Sequence, residues 1–294
     1  MVVRKQLQNQ EELINYFDYP VSLLQTKQAL QDVMWELAYR KRADNVRYIE
    51  VRMAPNLHTK KRLTLHQVLE TMHEVISDIQ NYVDIIIRFI VVGLRTIPLE
   101  ENLVLLEEIN KFNKKDFIVA VDFAGYESKA PDPTDQFDFF CRAEELGFEI
   151  TVHCGELPNS SGMLEKIVDL IKPKRIAHGA MAIANENLCE KLIKQNIQLD
   201  LCPTSNIDIN LYSDIKNYPA VELYKKGVPI SISTDSPVLH NVSLSEEFIN
   251  LYRECDISIN DLWDINMNSL RKSFLDNNRK MTMIKEFQDW FSGF

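Results

Sequence analysis

The sequence predicts an α/β fold, a (β/α)8 TIM-type barrel of which seven strands can be counted. Three observations support this. Short apolar, β-branched runs recur along the 294 residues, stretches with helical periodicity separate them, and polar residues follow strand after strand. Runs that are apolar on both faces are typical of parallel strands covered by helices. A barrel collects polar groups from many strands on one rim, whereas an open doubly wound sheet gathers them mainly at one switch point. We therefore favour the barrel.

The predicted strands and helices alternate along the chain. The strands span residues 48–53, 85–92, 117–123, 148–153, 175–178, 197–202 and 228–234. The helices between them span residues 65–79, 103–109, 134–146, 163–171, 187–194 and 219–226. In the first of these helices, the i, i+3, i+4, i+7 spacing of one buried face is kept by Val68, Leu69, Met72, Val75 and Ile76. Helical regions at 1–45 and 241–294 flank the barrel at 46–240. No Pro/Gly/Ser-rich linker interrupts the chain, so we predict a single domain over 1–294.

Composition narrows the possible partners. A chain that is 26% charged and 45% hydrophobic is typical of soluble globular proteins. Its net charge of −10 disfavours nucleic acid and anionic membrane as partners, but allows a small nucleotide or nucleoside in a pocket. Five cysteines without a CxxC pair argue against a disulfide framework or a zinc ribbon. No membrane-spanning run or signal peptide is visible, so we expect a cytoplasmic protein of undetermined oligomeric state.

The segment Val152-His153-Cys154-Gly155-Glu156 is the first candidate for chemistry, because a strand ends in a histidine and a carboxylate follows three residues later. A neutral imidazole is a good zinc ligand, and a nearby carboxyl group can transfer protons to and from metal-bound water. Gly155 allows a backbone conformation that other residues rarely adopt. A structural histidine beside a solvated glutamate is an equally good interpretation of these residues alone.

Two other strand ends carry ionisable residues. His178 lies in the sequence RIAHG and Asp235 in STDSP. A structural histidine and an aspartate that caps a turn or helix are the alternatives. The segment LCPTSN at 201–206 holds no titratable group suited to catalysis and is expected to shape its loop. We expect Cys154 and Cys202 to be small buried side chains rather than nucleophiles or metal ligands.

The order VHCGE, RIAHG, LCPTSN, STDSP resembles the adenosine/AMP deaminase family of the amidohydrolase superfamily. Further matches are YIEVRMAP at 48–55, VDFAG at 121–125 and NSLRKSF at 268–274, so the resemblance spans nearly the whole chain. It implies a barrel of the metal-dependent hydrolase kind. It also implies zinc-dependent hydrolytic deamination of a 6-aminopurine nucleoside, that is, adenosine or deoxyadenosine converted to inosine or deoxyinosine plus ammonia.

The resemblance also implies site residues. His153 and Asp235 would bind one zinc ion. Glu156 would carry protons to the purine ring, and His178 would lie beside the metal-bound hydroxide. Gly125 would offer its backbone N–H to the purine.

Two features depart from the family pattern. The family's first strand carries an HxH pair of zinc ligands, and no two of the six histidines here are separated by one residue. We therefore expect the chain to lack that strand and to hold zinc weakly. His58, which follows the first counted strand, is expected to be a surface residue. Ser236 stands where the family usually has a second aspartate against the purine. It is still expected to contact the substrate, but the identity of the aminopurine stays open.

Three alternative functions stay open. The chain could be a catalytically inactive barrel that binds a purine or a protein partner, which the missing HxH pair favours. It could deaminate adenine, AMP or an N6-substituted AMP instead of adenosine. It could also hydrolyse an ester or a lactam, although a glutamate three residues after the metal histidine favours a donor of protons to a ring nitrogen.

Overall fold

The computed structural model describes residues 10–127 and 136–293. The chain divides into two compact units, one ending at His153 and the other beginning at Cys154, and each is described by itself. The prediction of seven strands is confirmed for the described residues. They are β1 Tyr48–Met53, β2 Ile86–Leu94, β3 Ile118–Ala124, β4 Glu149–Cys154, β5 Arg175–His178, β6 Gln198–Leu201 and β7 Ile230–Ile232.

The first unit is built on β1 to β4, which pair in chain order and are all parallel. Its helices are α1 Gln10–Leu23, α2 Lys27–Ala43, α3 Leu65–Tyr82, α4 Leu99–Lys111 and α5 Phe137–Glu145. The predicted helix 134–146 is found over the range of α5, and its first two positions lie outside the described residues. Parallel strands need crossover connections, and the helices α3, α4 and α5 provide them.

The amphipathic pattern of α3 is confirmed. A capping box between Thr64 and Gln67 starts the helix by satisfying backbone N–H groups of its first turn. The apolar face predicted from the spacing is buried along its whole length. It belongs to the core of this unit, together with Ile87, Phe89 and Val91 of β2.

His58 is not a surface residue, so that expectation is wrong. A 3-10 helix over Pro55–His58 turns the loop after β1 toward the junction of α1 and α2. There, His58 Nδ1 lies 2.7 Å from the carbonyl oxygen of Leu24, and the side chain amide of Gln25 donates to the carbonyl of Leu57 at 2.8 Å. Burial lowers the pKa of His58 below its usual value. Because Leu24 and His58 are 34 residues apart in the sequence, no local sequence pattern indicates this contact.

The second unit contains β5, β6 and β7, paired in parallel in that order. Every residue of these three strands is buried. The helices of this unit are α6 Ser161–Leu170, α7 Glu186–Gln195, α8 Pro203–Asp208, α9 Ala220–Lys225, α10 Pro237–His240, α11 Leu244–Glu254, α12 Ile259–Arg271 and α13 Asn277–Phe291. Within the described part of the chain, no helix is long and apolar enough to cross a membrane.

Two short helices were not predicted. α8 follows β6 and begins at Pro203, and α10 follows β7 and begins at Pro237. Proline is well suited to the first position of a helix, because its fixed φ is helical and its missing N–H would have no intrahelical partner. The segment 201–206, expected to be a loop, therefore presents its polar side chains from a helix.

A buried ion pair joins the strands of the second unit. Arg175 Nε on β5 lies 3.2 Å from Asp200 Oδ2 on β6, and the guanidinium stacks 4.4 Å from the centre of the Phe274 ring. Asp200 Oδ1 accepts hydrogen bonds from Gln198 and Ser231. The family-like segment at 268–274 thus supplies Phe274 to this network.

Candidate active site

In the first unit, His153 and Asp122 lie side by side at the ends of two strands. His153 Nδ1 is 2.7 Å from Oδ2 of Asp122, and Nε of Arg52 is 3.4 Å from the same oxygen. Asp122 is completely buried. Burial alone would raise its pKa, but His153, Arg52 and the backbone N–H of Phe123 bring the pKa well below the usual range. Asp122 is therefore an anion that orients His153.

The position of Asp122 determines what His153 can do. An ionised carboxylate beside Nδ1 favours a proton on that nitrogen and leaves the lone pair on Nε2, which is the form in which histidine binds a metal. In the sequence, Asp122 belongs to the segment VDFAG at the end of the predicted strand 117–123, and no role was predicted for it. The missing information was the pairing of β3 with β4, which places their carboxyl ends at one edge of the sheet.

Gly125, the other candidate in this unit, follows β3 directly. Its φ of +127° lies in the region that favours glycine. A Cβ atom here would lie 3.3 Å from Cβ of Arg95. A side chain is therefore disfavoured at Gly125, and the backbone is left open to a close approach. Its expected contact with a purine stays a prediction.

In the second unit, Glu156 and His178 are brought together by Asn206. Glu156 follows β4, His178 ends β5, and Asn206 lies on α8, and all three are buried. The Asn206 amide nitrogen lies 3.2 Å from Glu156 Oε1 and 3.4 Å from His178 Nδ1. Glu156 Oε1 and His178 Nδ1 are 3.8 Å apart. A carboxyl group and an imidazole, which can exchange protons with a ligand, are thus held within one buried cluster.

Asp235 lies beyond β7 and is held by neighbouring hydroxyl groups. Ser205 on α8 donates to Asp235 Oδ2 at 2.8 Å, and Ser236 donates to Oδ1 at 3.4 Å. His240 Nε2 is 3.9 Å from Oδ2. The Ser236 hydroxyl is therefore within reach of Asp235, and its expected contact with substrate stays a prediction.

The backbone at these strand ends is strained. His178 and Asp235 have φ values of +65° and +51°, a left-handed conformation that disfavours residues with a side chain by about 1–2 kcal/mol. The turns also approach each other closely, since a Cβ on Gly155 would lie 2.8 Å from Cα of Gly179. Such strain is typical of functional sites, where it aims a side chain that would otherwise point elsewhere.

Three buried residues of the second unit were missed by the sequence analysis. Asn206 was read as part of a loop, and Tyr218 and Glu247 were not considered. Tyr218 donates to Asn206 Oδ1 at 3.2 Å, and Glu247 accepts at 3.2 Å from the backbone N–H of Thr204 at the start of α8. Burial raises the pKa of Glu247 to about 7. The helix α8, whose residues contact Glu156 and Glu247, is too short to show a hydrophobic period in the sequence.

The described side chains that could hold a zinc ion fall short of a complete site. Catalytic zinc usually takes about three protein ligands and a water molecule. Across residues 10–127 and 136–293, no group of three or more His, Cys, Asp or Glu side chains is arranged to hold a metal ion. His153 and Asp235 are the two predicted ligands. These residues do not fit a complete zinc site, and no chemical step below depends on a metal.

Comparison with known proteins identifies the family. The profile of the family named "Adenosine deaminase" matches residues 2–290. The chain belongs to the adenosine deaminase family. A curated adenosine deaminase of Clostridium acetobutylicum is 30% identical over 284 residues, covering 97% of this chain and 84% of that protein. One from Clostridium botulinum strain Kyoto is 33% identical over 266 residues, covering 90% and 78%. The predicted membership is confirmed, and the chain is an adenosine deaminase-like hydrolase.

Solved structures confirm the fold class. An adenine deaminase from Arthrobacter aurescens matches with a TM-score of 0.91 at 20% identity, covering 98% of this chain and 86% of that one. An N6-methyl-AMP deaminase from Arabidopsis thaliana matches with a TM-score of 0.85 at 20% identity, covering 96% and 84%. An amidohydrolase from Burkholderia ambifaria with bound zinc matches with a TM-score of 0.83 at 21% identity, covering 92% and 77%. The fold is that of the amidohydrolase barrels.

Proposed function

We propose that this chain deaminates a 6-aminopurine by hydrolysis, with adenosine or deoxyadenosine as the first candidate substrate. The observation that carries the proposal is the buried cluster of Glu156, Asn206 and His178 in a member of the adenosine deaminase family. In the net reaction, one water adds at the purine 6-position and one ammonia leaves, which converts adenosine to inosine or deoxyadenosine to deoxyinosine.

Glu156 is the proton carrier in this proposal. Protonation of the ring nitrogen next to the 6-carbon draws electrons from that carbon and makes it open to attack by water. A carboxyl group that is 6% exposed suits this task, because its proton is exchanged with the substrate rather than with solvent. His178 and Asp235 orient the attacking water, and the Gly125 N–H positions the purine.

The metal in this proposal is a single zinc ion, with His153 and Asp235 as ligands supplied by this chain. The Burkholderia amidohydrolase of the same fold, which has bound zinc, supports the choice of zinc. Because two ligands fall short of the usual set, we propose that this chain alone holds the ion weakly.

The substrate is proposed at the level of the 6-aminopurine class. The curated relatives are named adenosine deaminases, whereas the structural relatives include an adenine deaminase and an N6-methyl-AMP deaminase. Ser236 offers a neutral hydroxyl where the family usually offers a carboxylate, which changes the hydrogen bonds available to a ligand. The substrate panel must therefore include adenine, AMP and N6-methyl-AMP beside the nucleosides.

The test is an ultraviolet assay of each purine, with and without added zinc, on the wild type and Glu156→Gln. We expect turnover of one or more 6-aminopurines by the wild type and a loss of about 10²-fold or more in Glu156→Gln, since general acid–base groups contribute about 10²–10⁴-fold. Glu190→Gln, which neutralises an exposed glutamate on α7, is the matched control and should keep full activity.

Two results would overturn the proposal. Full activity of Glu156→Gln would show that another group carries the proton. Absence of turnover of every purine, with zinc present and with purine binding retained, would favour the catalytically inactive alternative.

A further inference from the structure

In the second unit, a chain of hydrogen bonds leads from the backbone of Cys202 through two side chains to Glu156 and His178. Tyr218, which is 2% exposed, accepts a hydrogen bond from the backbone N–H of Cys202. Its hydroxyl donates to Asn206 Oδ1 at 3.2 Å. The amide nitrogen of Asn206 then faces Glu156 Oε1 and His178 Nδ1 at 3.2 Å and 3.4 Å. Each link is buried, so water does not compete with it.

The direction of this chain follows from its first link. A backbone N–H can only donate, so the oxygen of Tyr218 accepts there and its own proton points to Asn206. Burial raises the pKa of Tyr218 well above 10, so the phenol keeps that proton. The oxygen of the Asn206 amide must therefore face Tyr218, and its NH2 group must face Glu156 and His178. The amide cannot be flipped without placing donor against donor.

We propose that Asn206, oriented by Tyr218, is a positioning residue that decides which atoms of Glu156 and His178 carry their protons. An amide NH2 group has two protons and only donates, so both atoms that it contacts must accept. Because Oε1 of Glu156 accepts from Asn206, Oε2 is the atom left for a transferable proton. In the neutral imidazole of His178, Nδ1 accepts from Asn206 and the proton lies on Nε2. The value of this arrangement for catalysis rests on the proposed deaminase function, but the arrangement itself does not.

The alternative arrangement shows why an amide is useful at this place. Glu156 Oε1 and His178 Nδ1 are 3.8 Å apart. Without Asn206, a protonated Glu156 could pass its proton to the imidazole and form a carboxylate–imidazolium pair, whose two charges attract each other more strongly in a buried site than in water. Such a Glu156 would be unable to protonate a substrate. By donating to both atoms, Asn206 keeps the acid and the base apart.

The proposal is tested by measuring the tautomer of His178 in the full, ligand-free chain. Histidine is labelled with ¹⁵N, long-range ¹H–¹⁵N spectra are recorded near neutral pH, and the His178 signals are identified by their loss in His178→Gln. We expect the wild type to show a proton on Nε2 and none on Nδ1. In Asn206→Asp, a carboxylate of the same shape replaces the donor, and we expect His178 Nδ1 to become protonated.

Tyr218→Phe is the second variant, which removes one hydroxyl and keeps the ring. Without the donor to Oδ1 the amide loses its fixed orientation, so we expect a mixture of His178 tautomers. Tyr212→Phe is the matched control. Its ring packs against that of Tyr218 at 5.0 Å, but its hydroxyl points to Sδ of Met181 at 3.7 Å. It should leave the tautomer unchanged.

The possible results distinguish failure of the positioning role of Asn206 from failure of the proposed deaminase function. A proton on Nδ1 in the wild type would overturn the positioning role, as would an unchanged tautomer in both Asn206→Asp and Tyr218→Phe. Where turnover is measurable, Tyr218→Phe should lower kcat roughly five- to tenfold with KM little changed, the size expected for one hydrogen bond. If the His178 tautomer changes as expected in the variants but the wild type turns over no purine, the positioning role of Asn206 is supported and only the deaminase proposal is overturned.

Discussion

Two buried carboxyl groups show how neighbours decide the charge of a residue. Asp122 and Glu247 are both completely buried. Asp122 faces His153 and Arg52, and its pKa lies well below the usual range despite burial. Glu247 accepts a hydrogen bond from the backbone N–H of Thr204, and burial raises its pKa to about 7. Equal burial thus yields an anion in one place and, in the other, an acid that is about half protonated at neutral pH.

We expect Glu247→Gln to stabilise the protein in a pH-dependent manner. The folded pKa of about 7 exceeds the ordinary value of 4.5, so the unfolded chain loses this proton first as the pH rises. The gain in unfolding free energy of Glu247→Gln over the wild type should be small below pH 4.5, grow up to about pH 7 and stay constant above, at up to about 3 kcal/mol.

Urea unfolding of both proteins at several pH values between 4 and 8 measures this difference. The glutamine keeps an oxygen that can accept the hydrogen bond from Thr204. Glu190→Gln, an exposed substitution, should show almost no difference at any pH. A Glu247→Gln difference that is the same at pH 4.5 and pH 8 would contradict the expectation.

At the scale of the element, the sequence predicted what depends on local patterns. β1 and β5 have the predicted bounds, because their apolar runs are interrupted at both ends by polar or small residues. β7 is shorter than predicted, since Val228 and Pro229 precede the paired residues and proline cannot donate to the ladder. The helices α8 and α10, with 6 and 4 residues, are too short to show a period.

The candidate site was predictable only in part for the same reason. His153, Glu156, His178 and Asp235 stand out because each follows a recognisable strand. Asn206 contacts Glu156 across 50 residues, and Glu247 contacts Thr204 across 43. These contacts depend on how elements pack, and the residue types involved are common in loops and on helix surfaces. Neither periodicity nor spacing could have selected them.

The close packing of the turns in the second unit leads to a prediction for Gly179→Ala. Gly179 has a φ of +77°, and an added Cβ would lie 2.6 Å from Cδ2 of Leu199 on β6. Left-handed strain of about 1–2 kcal/mol and overpacking of about 1–3 kcal/mol add to an expected loss of roughly 2–5 kcal/mol in the free energy of unfolding. Denaturant unfolding at one pH measures it.

Gly162→Ala provides the control for this prediction. Gly162 lies in α6, and an added Cβ would meet no atom within 4 Å. Alanine there should stabilise the helix by about 0.5–1 kcal/mol, because alanine has the higher helix propensity. A Gly179→Ala protein as stable as Gly162→Ala would mean that the turn after β5 does not adopt the conformation described.

At the scale of the whole molecule, the fold and the family are established, whereas the metal is not. The chain spans 84% of its Clostridium acetobutylicum relative, and it matches the zinc-bound amidohydrolase over 92% of its own length. Yet the described residues present no group of three side chains suited to a metal ion. Shared fold therefore does not by itself imply a shared metal site, because metal binding depends on particular side chains.

We expect the purified 294-residue chain to retain much less than one equivalent of zinc after dialysis against a mild chelator. Only His153 and Asp235 are proposed as ligands, and two ligands bind zinc far less tightly than the three of a catalytic site. Metal analysis measures the retained zinc. His153→Ala and Asp235→Ala serve as controls, because zinc held by the five cysteines would persist in both variants. One equivalent retained by the wild type and lost in His153→Ala would contradict weak binding and show that further ligands complete the site.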